Sequence, residues 1–166
     1  MRWEDELDAA WSGFSDADPD TFVARIRRLV DRPEVPSAIR DFEVAGAYDA
    51  TDEPEAAVPR YRRALDAGLD DHRARQATIQ LASSLRTLGD ATEGLRLLTA
   101  LATDRGDGLD DAVIVFRALM LADLGREREA LATTLHALAN HLPRYRISAQ
   151  HYAAELPDRP RCGAPE

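Results

Sequence analysis

The sequence predicts an all-α fold built from a repeated pair of helices. Residues 75–101 contain two amphipathic stretches, in which apolar residues recur at the i, i+3 and i+4 steps of a helix. Gly89 can end the first stretch in the left-handed conformation, and Asp90 with Glu93 forms a pattern like a capping box at the start of the second. No segment alternates apolar and polar residues over a strand length, so we expect no sheet.

The small residues of this hairpin recur along the chain at a constant offset. Each unit has a small residue in its first helix, a turn residue seven positions later and a small residue twelve positions later. The three sets are Ala45, Asp52 and Ala57, then Ala82, Gly89 and Gly94, then Ala118, Gly125 and Ala130. The interval between units is 37 and then 36 residues, and such self-similarity predicts a helical repeat array.

Composition narrows the classes of function. All 21 basic residues are arginine and the net charge is −9, so the surface repels phosphate backbones and we expect no nucleic-acid partner. The arginine, alanine and aspartate content indicates a GC-rich bacterial genome. Cys162 is the single cysteine and no apolar run approaches about 20 residues, so we expect no intrachain disulfide, no membrane span and a cytoplasmic location.

Residues 1–36 are predicted to form N-terminal capping helices. The first carries an apolar stripe of Trp3, Leu7, Ala10, Trp11 and Phe14. This stripe can cover the open end of the array, or it can be an exposed aromatic patch for a partner or a second copy. Asp18 and Pro19 predict the start of the next helix. Its arginines (Arg25, Arg27 and Arg28) indicate a solvated face or a site that attracts an acidic segment.

Three helix pairs are expected over residues 37–142. The first pair covers 37–50 and 53–67, where Pro59 is expected to kink the second helix near Ala56. The third pair begins after a loop at 104–108, and its first helix is apolar on most of its circumference, which predicts burial on several sides. A C-terminal capping helix is expected over 143–156 and a disordered tail over 157–166, which gives one structural domain overall.

The pairs resemble tetratricopeptide repeats over about residues 37–142. The match is carried by Val44-Ala45, Tyr48, Ala57, Tyr61 and Ala64 in the first repeat, and by the corresponding small positions in the other two. Arg117 and Thr134 depart from the pattern, where the family has an aliphatic and an aromatic residue. The short, three-repeat bacterial proteins of the family are the most similar. The resemblance implies a right-handed α-solenoid of antiparallel helix pairs, a TPR-like superhelix with capping helices at both ends.

The resemblance also implies protein or peptide binding on a concave face lined by the first helix of each pair. The positions on that face are Phe42, Gly46, Asp49, Gln76, Ile79, Ser83, Arg86, Val115, Leu119 and Ala122. Because this face is mostly apolar, we expect an apolar or amphipathic protein segment as the partner. The chain has no lysine, and its only asparagine lies in a second helix, so the carboxylate clamp of some relatives is missing. Three alternatives stay open: Phe42, Ile79, Val115 and Leu119 form core, the chain's own terminal helices fill the groove, or the protein is a homo-oligomer.

Catalytic and metal-binding patterns are not found in the sequence. His136 and His141 are five residues apart, which does not align them as the i, i+4 metal pair requires. There is no glycine-rich phosphate loop and no G-x-S-x-G nucleophile motif. Paired aspartates stand at predicted helix starts, where the helix dipole explains them. We therefore predict a non-enzymatic protein with no cofactor and no metal.

Overall fold

The structure, a computed structural model, describes residues 2–16 and 18–158. Within these ranges the chain forms nine α-helices and no strand, which confirms the predicted all-α fold. The helices are α1 Trp3–Ser12, α2 Pro19–Val30, α3 Ser37–Ala50, α4 Pro54–Asp66, α5 Asp71–Thr87, α6 Ala91–Thr99, α7 Asp110–Asp123, α8 Glu127–Ala139 and α9 Arg146–Glu155. None of these described helices combines the length and the apolar character needed to cross a membrane. Most of the predicted tail, including Cys162, lies outside the described residues.

The turns between the paired helices share one backbone geometry. Asp52, Gly89 and Gly125 have positive φ angles of 62°, 87° and 73°. After each turn residue, the next backbone N–H donates to the carbonyl oxygen five residues before it. These bonds run from Glu53 to Tyr48 (2.9 Å), from Asp90 to Leu85 (2.8 Å) and from Arg126 to Leu121 (2.8 Å). This is the Schellman C-cap, so the repeat in the sequence is also a repeat of conformation.

The small marker residues of the repeat lie inside the helix packing. All six are buried: Ala45, Ala57, Ala82, Gly94, Ala118 and Ala130. Because the distance between packed helices depends on the side chains at the contact, small residues there permit close approach. The markers therefore recur for a steric reason.

Two helix boundaries illustrate how local chemistry sets the elements. Asp70 accepts a hydrogen bond from the backbone N–H of Arg73 at 3.0 Å, which caps the start of α5. The C-terminal helix α9 begins at Arg146, three residues later than predicted, after Tyr145 in the left-handed conformation (φ 66°). Helix α4 extends from Pro54 to Asp66 through Pro59. The division into capping helices, three pairs and a tail, and the right-handed sense of the array, stay predictions.

The chain divides into two compact units, with the boundary between Asp90 and Ala91. Unit 1 contains α1 to α5, which pack mainly between neighbours in the sequence. Its interior is filled by large side chains, among them Phe22, Ile26, Val30 and Tyr61, each at most 1% exposed.

Unit 2 contains α6 to α9, and alanine dominates its interior. Its buried residues include Ala118, Ala130, Ala137, Ala139 and Ala153. Several of its large apolar side chains are exposed instead. Val115 and Leu119 of α7 are among them, so the expected burial of α7 does not hold at these two positions, although Val113, Met120 and Leu121 are buried. Helices α6 and α8 pack against α7 and leave this part of its circumference uncovered.

Candidate functional site

The N-terminal helix α1 packs against the α3 residues that the resemblance places on the partner-binding face. The indole Nε1 of Trp11 donates a hydrogen bond to Oε2 of Glu43 at 2.8 Å. The Trp11 ring also lies over Gly46, where an added Cβ would be 3.4 Å from Cη2 and Cζ2 of that ring. The indole is therefore close to the α3 backbone at Gly46, where a methyl group would fit in van der Waals contact but a larger side chain would displace the ring. In unit 1 the chain's own terminal helix therefore covers part of the face.

A pocket of about 270 Å³ remains between α1, α3 and α5. Trp3, Trp11 and Phe42 contribute aromatic walls, and the amides of Gln76 and Gln80 come from α5. The Gln80 Oε1 atom is buried and accepts no hydrogen bond from the described residues. Because that atom has almost no solvent-accessible surface, a ligand in the pocket would reach it only after movement of the Gln80 side chain.

Two carboxylates of α3, one buried and one half-buried, form hydrogen bonds to other helices of unit 1. Glu43 is 9% exposed, and burial raises its pKa. The hydrogen bond from Trp11 acts in the opposite direction and lowers that pKa. Asp49 accepts a hydrogen bond from the Ser84 hydroxyl at 2.7 Å, which links α3 to α5. Burial also raises the pKa of Asp49. Both side chains are engaged within the chain, and this sets the positions of α1, α3 and α5.

The other predicted positions of unit 1 differ in their accessibility. Ile79 is 5% exposed, so its side chain belongs to the interior. Ser83 and Arg86 are half-buried, and Arg86 already interacts within the chain. Phe42 is half-buried, with its ring centroid 6.4 Å from that of Tyr61. Phe42, Gly46 and Gln76 are thus the predicted residues of this unit that line the pocket.

Unit 2 presents its predicted positions to solvent. Val115 is 47% and Leu119 is 37% exposed, and their i, i+4 spacing places them one turn apart on α7. Val115 also lines an apolar groove of about 220 Å³ between α7 and α8, together with Ile114, Ala137 and Leu138. At the rim of this groove, His141 Nε2 lies 3.0 Å from Oδ2 of Asp111. Leu138 was predicted to line α8 and not to belong to the site, because leucines at 131, 135 and 138 follow the i, i+4 and i+7 steps of one helical face. Leu131 and Leu138 are instead 50% and 54% exposed.

The described residues show no arrangement that points to metal chemistry. Across residues 2–16 and 18–158, no three side chains of the histidine, cysteine, aspartate and glutamate types are grouped so that they could hold a metal ion. The geometry found here is that of contact surfaces: an aromatic pocket with amides in unit 1 and an exposed apolar stripe in unit 2.

Comparison with known proteins gives one family. The family model described as "Tetratrico peptide repeat" matches residues 38–156. No curated protein and no solved structure matches the chain. The matched segment extends through the three predicted helix pairs and includes α9.

Proposed function

The chain belongs to the tetratricopeptide repeat family, and from this premise we propose that it binds an apolar or amphipathic segment of another protein. Repeats of this family generally mediate protein–protein interactions, and they are a scaffold type rather than an enzyme type. The proposal assigns the contact to side chains on the first helix of the helix pairs. It needs no cofactor, metal or nucleic acid.

The observation that carries the proposal is the exposed apolar stripe of α7. Val115 and Leu119 stand one turn apart, and Leu138 of the apolar groove lies beside Val115. Burying a half-exposed aliphatic side chain stabilises a complex by about 1 kcal/mol. An amphipathic helix of a partner presents two or three apolar side chains, at positions i, i+3 and i+4, which matches the number of exposed residues here. The stripe and groove therefore suit an apolar or amphipathic segment.

In unit 1 we assign Phe42 and Gln76 to the same role, because both line the pocket beside α1. Ser83 stays a proposed contact as a half-buried polar residue of α5. Asp49, Ile79 and Arg86 are weaker candidates: Asp49 bonds to Ser84, Ile79 is buried, and Arg86 interacts within the chain. A partner that reached them would have to replace contacts that the chain already makes.

A pull-down with a matched pair of variants tests the proposal. Leu119→Glu places a charge on the α7 stripe, and Leu131→Glu places the same charge on α8 at another exposed leucine. We expect a protein captured by wild type and by Leu131→Glu to be lost with Leu119→Glu. Retention of that protein by Leu119→Glu contradicts the assignment. Far-UV circular dichroism checks the fold, and Val115→Gln replaces Leu119→Glu if the latter unfolds.

A second candidate function is self-association, which the C-terminal helix region favours. Tyr145, Ile147 and Tyr152 are 78%, 81% and 63% exposed, three large apolar side chains within eight positions of the sequence. Exposed apolar patches mark interaction sites, and another copy of the chain can cover them. Light scattering at micromolar concentration distinguishes a monomer from a dimer and so tests self-association. A dimer that Ile147→Asp converts to monomer supports it, and a wild-type monomer excludes it.

A further inference from the structure

Four arginines line one open pocket of unit 1, outside the face discussed above. Arg27 and Arg28 come from α2, Arg40 from α3 and Arg60 from α4, around a space of about 400 Å³. One aspartate, Asp31, lines the same pocket. Four positive side chains and one negative side chain give a formal surplus of three positive charges, in a chain whose net charge is −9. The pocket is therefore opposite in sign to the chain as a whole.

Uncharged groups contact three of these guanidinium groups, and for Arg27 and Arg40 they are the groups that orient the side chain. The guanidinium carbons of Arg27 and Arg60 lie 5.1 Å and 5.7 Å from the centroid of the Tyr48 ring. Arg27 also donates to the Tyr48 hydroxyl. Arg40 donates to backbone carbonyl oxygens, the nearest being that of Val30 at 3.1 Å. A ring and carbonyl groups orient a cation without cancelling its charge, so the pocket is both ordered and positive.

Several arginines elsewhere in the described residues are neutralised by carboxylates of the chain. Examples are the pairs Arg32–Glu6, Arg73–Asp70, Arg96–Glu93 and Arg126–Glu129, with N–O distances of 2.6 to 2.8 Å. In the pocket, Arg60 pairs with Asp41 at 3.1 Å, but Arg63 contacts the same oxygen at 2.7 Å. Across residues 2–16 and 18–158, Arg27 and Arg28 have no carboxylate at ion-pair distance. The carboxylates of Asp31 and Asp41 thus offset only part of the positive charge, and Arg27 and Arg28 carry the uncompensated part.

We propose that this pocket binds an acidic segment of a protein partner, at a site separate from the apolar contacts of the proposed function. Guanidinium groups recognise carboxylates through paired N–H donors, and several of them together select acidic motifs. One carboxylate would leave the pocket with two surplus positive charges, so a segment with at least two neighbouring carboxylates fits better. A peptide is favoured over a nucleic acid because the net charge of −9 opposes a long phosphate backbone.

Calorimetric titration of the full chain with a short glutamate-rich peptide tests the proposal, beside the same peptide with glutamine at every acidic position. At about 50 mM salt we expect the glutamate peptide to bind and the glutamine peptide not to bind. The double variant Arg27→Gln/Arg28→Gln should weaken binding about tenfold. The matched control is Arg25→Gln, on the same helix and exposed but outside the pocket, and it should stay within about twofold of wild type.

The possible outcomes separate this pocket from general charge attraction. Equal losses from the single variants Arg25→Gln and Arg28→Gln, which each remove one charge, overturn the proposal, as does binding of the glutamine peptide or no binding of the glutamate peptide. Displacement of the peptide by a single-stranded oligonucleotide overturns the choice of ligand class. If Arg27→Gln unfolds the chain by removing the contact with Tyr48, Arg28→Gln alone replaces the double variant. The Arg28 side chain is exposed, so replacing Arg28 by glutamine should leave the fold intact.

Discussion

Replacing Trp11 by phenylalanine isolates the contact that holds α1 on α3. The change keeps an aromatic ring near Phe22, whose centroid lies 5.0 Å from that of Trp11, and removes the indole N–H. That N–H donates to Glu43, which is 9% exposed. A hydrogen bond to a charged group contributes about 1.5–3 kcal/mol, and the smaller ring costs about 1 kcal/mol in packing. We expect Trp11→Phe to lower the free energy of unfolding by about 2.5–4 kcal/mol at neutral pH.

The pH dependence identifies the carboxylate as the cause. Burial already raises the pKa of Glu43 above its usual 4.5, and the hydrogen bond from Trp11 acts in the opposite direction. Removing the donor raises the folded-state pKa further, so the folded variant retains its proton to higher pH. Stability falls as the pH rises through a folded-state pKa that exceeds the unfolded one. The deficit of Trp11→Phe should therefore grow with pH above the wild-type pKa of Glu43. Below pH 4.5 it should shrink to the packing part, about 1 kcal/mol.

Urea unfolding followed by circular dichroism measures this deficit at acid and neutral pH. Trp3→Phe is the control, because Trp3 lies in the same helix and lines the same pocket. Its indole N–H does not donate to Glu43, whereas that of Trp11 does. In a double-mutant cycle with Glu43→Gln, most of the pH dependence should disappear. A deficit below about 0.5 kcal/mol at neutral pH, or one independent of pH, would refute the reasoning.

Three further predictions concern single positions. Gly46→Ala should stabilise unit 1 by about 0.5–1 kcal/mol in urea unfolding, because alanine favours a helix interior and its Cβ fits at 3.4 Å from Trp11. Gly46→Leu should destabilise unit 1, because the larger side chain would displace the indole. Arg117→Met should cost about 2 kcal/mol and speed amide hydrogen exchange at the end of α6, because the guanidinium donates to the Leu98 carbonyl oxygen at 2.9 Å. Leu138→Gln should change the free energy of unfolding by less than about 0.5 kcal/mol and raise solubility in a precipitation assay, since Leu138 is 54% exposed. A loss above about 2 kcal/mol for Leu138→Gln would contradict its surface position.

The repeat geometry could be predicted because it depends on local chemistry. Helix α3 has the predicted bounds, Ser37–Ala50. Asp52 was aligned with Gly89 and Gly125 by spacing alone, and all three have positive φ. A turn of this kind needs only a residue that tolerates the left-handed conformation, and aspartate is among the few besides glycine that do so. Such requirements can be read from a short stretch of sequence.

The site was less predictable because it depends on which surfaces meet. Trp11 and Glu43 are 32 residues apart, and no periodicity of α1 alone indicates which neighbouring helix it covers. The apolar pattern of α7 is the same whether Val115 and Leu119 face a neighbour or solvent, so exposure could not be derived from it. The arginine pocket requires residues from α2, α3 and α4 together. The sequence indicated only its part in α2.

Both tryptophans of the chain lie in α1, so intrinsic fluorescence reports on a single helix. The emission of Trp11 depends on its contacts with Glu43 and Gly46, and that of Trp3 on the pocket beside them. A ligand that enters this pocket or lifts α1 should shift the emission maximum. A ligand confined to the α7 stripe should change the emission much less, because unit 2 contains no tryptophan. The protein thus carries a built-in spectroscopic probe that can tell which of its surfaces is occupied.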